Sequence, residues 1–341
     1  MRKVGHYILQ ISWDTASIVV SRSFDPWYNL ALEEMLLHGT KQQGTILYLW
    51  QNHNTVVIGR NQNVWKECRW EQLHNEGGKL ARRLSGGGAV YHDKGNLNFT
   101  FITRRREYDL EKQLQVILEG VAELGIPAKF SGRNDILAQG RKFSGNAFYK
   151  DADRAYHHGT ILVAVDFAQM SRYLQVSREK MVAKGIESVQ ARVVNLTEFR
   201  PDLDIESVAE SLKKSFRRIY APPVGEVVVE GLFGELPQLY EKYSSWEWRF
   251  GQTPAFDLVL EKRFPWGGIE LAMALEAGRI REAKVFSDAM EPHLIQAMGP
   301  ALEGVLLDKE AMVDSLQVLK KTPQEKAIIE DITEWLSLVE I

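Results

Sequence analysis

Short strand-like runs and helical stretches are interleaved at uneven intervals along this chain, and that spacing is what most restricts its fold. Ile18 to Val20 is a β-branched run that reads as a strand. Asp25-Pro26 then opens a helix, with Asp as N-cap and Pro at the first helical position. Trp27, Leu30, Ala31 and Met35 give this helix one apolar face, and Gly39 closes it. Ile46 to Trp50 and Thr55 to Ile58 read as strands around a turn at His53-Asn54, and Val64 to Glu76 as a helix that stops at Gly77-Gly78. Leu80 to Leu84, Ala89 to His92, Leu97 to Ile102, Lys142 to Tyr149 and Gly159 to Val165 add strands, with a possible addition at Val227 to Val229. Leu110 to Leu124 and Ile205 to Ile219 add helices. The regular βαβ alternation of a doubly wound fold is missing, so the pattern predicts an α/β protein of the α+β kind.

At 341 residues the chain is long enough for about two domains. Pro222-Pro223 interrupts the pattern, and a second break falls near Arg249 to Pro254, after Trp246, Trp248 and Phe250. Beyond it, strand-like Gly268 to Met273 and Ile280 to Phe286 mix with helical Pro292 to Gly299 and Gln324 to Leu338. That stretch is small but large enough to fold. The expected division is 1–248 and 255–341. With 42 Lys and Arg against 45 Asp and Glu, the formal charge is −3, which argues against a general nucleic-acid or membrane-surface binder. Arg2 and Lys3 are followed by a stretch broken by His6, Gln10, Ser12 and Asp14, so no export signal is expected. No apolar run is long enough to span a bilayer. The lone cysteine, Cys68, excludes an intrachain disulfide and any Cys-rich metal site and fits a reducing, cytoplasmic setting. It lies in the expected 64–76 helix with no nearby histidine tuned to it, and reads as a structural thiol.

The chemistry concentrates between residues 82 and 197. In Arg82-Arg83-Leu84-Ser85-Gly86-Gly87-Gly88-Ala89-Val90-Tyr91-His92-Asp93, three glycines sit between two apolar runs. Such a loop allows close backbone approach to a ligand, and its N–H groups can form an anion-binding concavity. The two arginines offer planar donor forks for phosphate or carboxylate. Read alone, the segment is equally a hairpin with surface arginines. Neither a Walker loop nor a GxGxxG turn is present.

Gly132-Arg133-Asn134-Asp135 is a turn, followed by Arg141-Lys142-Phe143 entering a strand. A lysine there is either exposed or aimed into a cleft, where an ammonium can hold a carboxylate and a phosphate oxygen together. His157-His158 precedes a strand-like run, but adjacent strand residues point to opposite faces, which suits no shared metal. Lys184 to Leu196 reads by spacing alone as a surface loop.

Taken in order, these segments resemble the two-domain lipoate–protein ligase A family. The correspondence runs through Ser23 to Ala31, Val56 to Arg60 with Asn61-Gln62-Asn63 and Trp65 to Cys68, and the Arg82 to Asp93 loop. It continues through Gly132 to Asp135 with Arg141-Lys142, and through Lys184 to Leu196. In the tail it rests on Ser244 to Gln252 and Pro265-Trp266-Gly267-Gly268. It covers the chain from about residue 17 onward; the first 16 residues have no counterpart. The resemblance implies a large mixed-sheet catalytic domain of the biotin/lipoate ligase type with a small C-terminal α+β accessory domain.

It implies further that (R)-lipoate and Mg²⁺-ATP react to lipoyl-AMP, and that the lipoyl group passes to a lysine of apo lipoyl domains. Those domains would be in 2-oxoacid dehydrogenase E2 subunits and the glycine-cleavage H protein. By the same resemblance, Arg83, Ser85, Gly86, Gly87, Gly88, Ala89, Val90, Tyr91, Asn134, Asp135 and Lys142 bind ATP and lipoyl-AMP. Lys142, Arg83, His158 and Gly159 surround lipoate, Lys142 is catalytic, and Asp135 helps hold Mg²⁺. The runner-up is an ATP-independent acyl transferase of the same fold, working through a Cys thioester. A third reading is an idle relative that only binds lipoate or lipoyl domains.

Overall fold

The computed structural model describes residues 15–38, 44–131, 134–175, 193–221, 224–231, 234, 236–250, 256–276 and 278–339. Several sequence expectations lie outside these residues: the helix stop at Gly39, Gly132-Arg133, Lys184 to Arg192, Pro222-Pro223, and Gly251 to Pro254. By contact the chain divides into two compact units. One holds the residues to Val57 with Trp65–Arg82 and Val90–Arg249; the other holds Ile58–Val64, Arg83–Ala89 and Phe250–Ile341.

The first unit is built on a mixed sheet of eight strands. Their spatial order is β11 (Gly225–Val229), β1 (Ser17–Ser21), β2 (Ile46–Trp50), β6 (Asn96–Arg104), β10 (Arg154–Leu162), β9 (Arg141–Lys150), β8 (Asp135–Ala138) and β7 (Ala128–Ser131). β1 runs parallel to both its neighbours; the pairs from β2 to β7 are antiparallel. The two faces of the central strands differ in chemistry. Leu97, Phe99 and Phe101 of β6 join Leu47, Leu49, Phe143 and Ile161 in one apolar core. Val116, Ile117, Val208, Leu212 and Phe216 complete that core from α4 (Leu110–Glu123) and α6 (Ile205–Tyr220). Asp109 caps the first of these helices through Lys112 N, and Asp204 the second through Ser207 N. The alternate residues of β6, Asn96, Asn98 and Thr100, are buried on the other face. There they meet α1 (Pro26–His38), whose Asp25 cap accepts from Trp27 N and which carries buried Asn29 and Glu33 among its leucines.

A second sheet orders β4 (Lys79–Arg82), β3 (Thr55–Ile58) and β5 (Val90–His92). The expected helix over 64–76 is instead two short ones, α2 (Val64–Glu67) and α3 (Trp70–Asn75). Its interruption has a tertiary cause. Cys68 makes a β-bridge to Leu174 beyond α5 (Phe167–Tyr173), with Arg69 N donating to Tyr173 O and Gln175 N to Glu67 O at 2.9 Å each. Two further helices, α7 (Leu236–Ser244) and α8 (Trp246–Phe250), follow the sheet.

In the C-terminal unit β12 (Leu258–Phe264), β13 (Gly267–Glu276) and β14 (Arg279–Ser287) form an antiparallel sheet. Leu271, Met273 and Ile280 pack with Leu294, Ile295 and Met298 of α9 (Pro292–Leu302), Met312 and Leu316 of α10 (Lys309–Gln317), and Ile329, Ile332 and Leu336 of α11 (Pro323–Leu338). The fold is thus the mixed α/β arrangement with a C-terminal α+β part that the sequence led us to expect. Among the described residues no helix is long and apolar enough to cross a membrane.

Candidate active site

Lys142 enters β9 just where its pairing with β8 slips. Leu137 pairs with Lys142, whereas Ile136 pairs with Ser144, so Phe143 is extra on the β9 side. Phe143 then packs into the apolar core, while the Lys142 side chain runs over Gly145. A Cβ on Gly145 would lie 3.0 Å from both Cε and Nζ of Lys142. The ammonium ends 2.7 Å from Asp135 Oδ1, both side chains about one-third exposed. Exposure of that order makes the pair a positioning contact more than a stabilising one. Lys142 O accepts from Val194 N at 2.9 Å, and Arg141 ties to Glu198 and to Val193 O. The last residues of the Lys184 to Leu196 segment are therefore docked on the lysine's own strand.

The Gly145 face of β9 continues onto β10, where Thr160 Oγ1 accepts from Gly145 N at 3.2 Å. Two residues along the same face stands His158, buried, its Nδ1 2.9 Å from Glu33 Oε1. Thr100 donates to the same carboxylate oxygen at 2.6 Å, and Trp50 Nε1 donates to Thr100 Oγ1 at 3.1 Å. Tyr48 stacks on Trp50, and its hydroxyl meets Asn29. A buried polar layer thus runs between α1 and the sheet, ending in the Glu33–His158 contact. The 2.9 Å contact requires one proton between His158 Nδ1 and Glu33 Oε1. A histidine and a carboxylate this deeply buried are tolerated only because they satisfy each other.

His157 and Gly159 look the other way, into the apolar core, as strand alternation requires. His157 lies 5.4, 5.8 and 5.1 Å from the rings of Phe99, Phe101 and Phe148. Burial pushes it down to about 3, helped by neighbouring His158. A Cβ on Gly159 would sit 2.6 Å from Phe99 Cζ. Asn134 clasps Asn146, its carbonyl accepting from Asn146 N at 2.8 Å and Nδ2 at 3.0 Å. Asp135, Lys142 and His158 therefore lie on strands of one sheet, with Asn134 in the turn just before β8, and all four belong to one unit.

The glycine loop, Arg83 to Ala89, belongs to the other unit. Arg83 does not extend outward: it donates to Ser85 Oγ at 3.0 Å and to the carbonyls of Gly86 and Gly88 at 2.8 Å each. Its guanidinium braces the loop from within. Gly87, at φ 90°, donates its N–H to Ala289 O at 3.1 Å, and a Cβ on Gly86 would collide with that same oxygen at 2.1 Å. Only glycine fits a backbone pressed this closely onto another segment. Asn61 Nδ2 donates to Pro292 O, and Ser287 N to Asn61 O, so the 58–64 stretch is fastened to residues on either side of Ala289. Val90 and Tyr91, beyond the loop, pair with Val57 and Val56 in the small sheet, and Tyr91 Oη donates to Asn54. Arg82 is committed elsewhere, donating to the carbonyls of Trp248 and Arg249 and accepting from Trp248 Nε1 on its own.

Sequence reasoning missed Glu33, Thr100 and Trp50. A signal for the first was available: of the adjacent Glu33 and Glu34, Glu33 stands three residues from both Leu30 and Leu36, on their face of the helix, where a carboxylate needs a partner. Cys68 is 2% exposed and burial pushes its thiol up to about 12, so it holds no thiolate near neutral pH. No group of three metal-ligating side chains occurs among the described residues.

Comparison with known proteins gives first the class. Residues 25–217 match the model of the lipoyl protein ligase A/B catalytic domain, and residues 253–336 that of the bacterial lipoate protein ligase C-terminus. The chain belongs to the lipoyl protein ligase A/B family, as a member that also carries the lipoate protein ligase C-terminal part. Among solved structures it is similar to Plasmodium falciparum LipL1 in complex with lipoate, at 29% identity and a TM-score of 0.82, over 94% of this chain and 99% of that one. It is also similar to the bi-partite lipoate protein ligase of Thermoplasma acidophilum, solved with its E2 lipoyl domain. There the identity is 25% and the TM-score 0.62, over 72% of this chain and all of the other. A lipoate-protein ligase A bound with ATP shares the fold at 24% identity and a TM-score of 0.60, over 70% and 99% of the two chains. The motif resemblance is borne out.

Proposed function

We propose that this chain activates free (R)-lipoate with ATP and transfers the lipoyl group to a lysine of apo lipoyl domains. The acceptors are the E2 subunits of 2-oxoacid dehydrogenases and the glycine-cleavage H protein. The observation that carries this reading is Lys142, whose ammonium is steered across Gly145 to Asp135 on the face that leads to His158. The lipoate carboxylate lies at that ammonium. Its carbon chain follows the sheet face toward His158, two residues and roughly 7 Å along β10 from Thr160, and toward Glu33 of α1, which meets it there. Gly159 takes part only through its backbone.

In the first step a carboxylate oxygen attacks the α-phosphorus, and pyrophosphate leaves. Lys142 stabilises negative charge as it builds on the oxygens between the two reactants. The loop from Arg83 through Ser85, Gly86, Gly87, Gly88 and Ala89 to Val90 and Tyr91 receives the phosphates, with Arg83 keeping its backbone rigid. Asn134 and Asp135 border the nucleotide. In the second step the acceptor lysine amine attacks the acyl carbon, an amide forms, and AMP leaves. Catalysis rests on orientation and electrostatics, without an acyl-enzyme.

A Mg²⁺ ion fits only as a companion of the nucleotide. Among the described residues Asp135 would hold it, the usual arrangement when phosphates supply most of the ligands. Its chemistry is charge neutralisation on the phosphates. The lone buried thiol suits a reducing cytoplasm. The thioester transferase reading lacks a nucleophile, because Cys68 is buried and protonated.

The test is lipoate-dependent ATP–pyrophosphate exchange, followed by mass measurement of an apo lipoyl domain. One added lipoyl group, dependent on ATP, is the expected result. Equal transfer without ATP from an acyl-carrier thioester would replace this reading with the transferase.

A further inference from the structure

His157 is a buried polar side chain of the first unit that the mechanism does not use. It is fully buried among three phenylalanine rings, and its Nδ1 has no hydrogen-bond partner among the described residues. An imidazole is a poor filler for such a site, since a phenyl ring would fill it at no polar cost. Its Nε2, however, is 2.7 Å from Asn146 Oδ1. The Asn146 amide cannot be turned round, because its other end, Nδ2, donates to the carbonyl of Asn134 at 3.0 Å. Oδ1 must therefore face the imidazole, and Nε2 must carry the proton. That matches a neutral ring with an unpartnered Nδ1.

The chain of contacts ends at the site. Asn134 O also accepts from Asn146 N at 2.8 Å, and Asn134 Nδ2 reaches back to Asn146 O at 3.4 Å. Asn134 is joined directly to Asp135, the carboxylate that holds Lys142 Nζ. Gly159 makes the arrangement possible, since a Cβ there would come within 2.9 Å of Asn146 Oδ1.

We infer that His157 is a positioning residue for adenylation: through Asn146 it locks the Asn134–Asp135 turn, and so fixes the carboxylate that aims the Lys142 ammonium. The inference rests on the proposed function for its catalytic consequence, but its structural content stands apart from it. His157 touches neither substrate nor reacting atoms. A neutral donor in an apolar core is well suited to this, because its geometry does not change as the solution pH varies around neutrality.

The experiment compares wild type, H157F and H157Q in the full chain. Phenylalanine keeps the ring and removes the donor. Glutamine places an N–H near the Nε2 position. Amide hydrogen exchange by mass spectrometry is read over 134–146 and over β6, and ATP–pyrophosphate exchange gives kcat and the KM for lipoate. H157F is expected to expose the Asn146 amide while β6 stays protected, and to lower kcat by about 10- to 100-fold with KM for lipoate little changed. H157Q is expected to restore both. Protection at Asn146 and kcat both unchanged in folded H157F would overturn the inference. So would loosening spread equally over β6 with no rescue by glutamine, the mark of a plain core residue. A wild type without exchange activity would instead refute the proposed function, and the hydrogen-exchange arm would still decide the clamp.

Discussion

Substituting Gly145 by alanine isolates the aim of Lys142 from its presence. Gly145 lies in extended strand backbone, which alanine adopts readily, and Gly→Ala in a strand is worth about 0.5–1 kcal/mol in favour of folding. The new Cβ would stand 3.0 Å from Lys142 Cε and Nζ. Ordinary carbon contacts lie at about 3.5–4.0 Å, so the end of the lysine must withdraw by roughly 0.5–1 Å. A flexible side chain can do that at little cost in stability, but it then no longer meets Asp135 at 2.7 Å. A displacement of about 1 Å costs on the order of 10²-fold in a positioned reaction, or about 2.7 kcal/mol in the barrier. Full removal of a charge-stabilising donor sets a ceiling of about 10²–10³-fold, expected for Lys142→Ala. Lipoate-dependent ATP–pyrophosphate exchange should therefore fall by about 10- to 100-fold in G145A, with an unchanged or slightly raised melting temperature. The double variant K142A/G145A should be no worse than K142A, since both act through one ammonium. A fully active G145A, or losses that multiply in the double variant, would refute the reasoning.

Other outcomes follow from the same geometry. Cys68→Ser should retain most of the transfer rate, losing about 1–3 kcal/mol of stability at most because a hydroxyl replaces a buried thiol; abolition of transfer in a folded variant would restore the thioester route. His157 titrates near 3 when folded against its ordinary value of 6.5, so the unfolded chain binds the extra proton between these values. Its contribution is intact above pH 6.5 and falls by up to roughly 1.4 kcal/mol per pH unit toward pH 3; urea melts at stepped pH should show H157F with a shallower acid limb. Ending the chain near Arg249 removes Ala289, Ser287 and Pro292, on which the glycine loop and the 58–64 stretch depend. Such a chain should lose lipoyl-AMP synthesis and become sensitive to protease near Gly86–Gly88, while transfer from supplied lipoyl-AMP persists if it folds.

Much was legible before any coordinates. Asp25-Pro26 starts the first helix, Leu97 to Ile102 lies within the strand Asn96–Arg104, Gly159 to Val165 overlaps only the end of the strand Arg154–Leu162, and the last helix runs from Pro323 to Leu338. Local chemistry decides these: a capping carboxylate, β-branched runs and apolar spacing act within a few residues. The motif order carried the family. His157 and His158 were expected on opposite faces, because strand alternation is a property of the backbone itself.

What the sequence could not decide is whatever depends on contacts between distant segments. A helix over 64–76 was reasonable by spacing, but the bridge from Cys68 to Leu174 breaks it, an interaction across more than a hundred residues. Arg82 and Arg83 read alike as phosphate donors; tertiary structure gives one to the carbonyls of Trp248 and Arg249 and the other to its own loop. The glycines between Ser85 and Ala89 signalled a close approach, yet only the fold names Ala289 as the backbone approached. Lysine at 142 and aspartate at 135 were visible as residue types. Their meeting at 2.7 Å required a one-residue slip between β8 and β9 and the missing side chain of Gly145. Burial and pairing set what each polar group can do, and both are decided by which strands become neighbours.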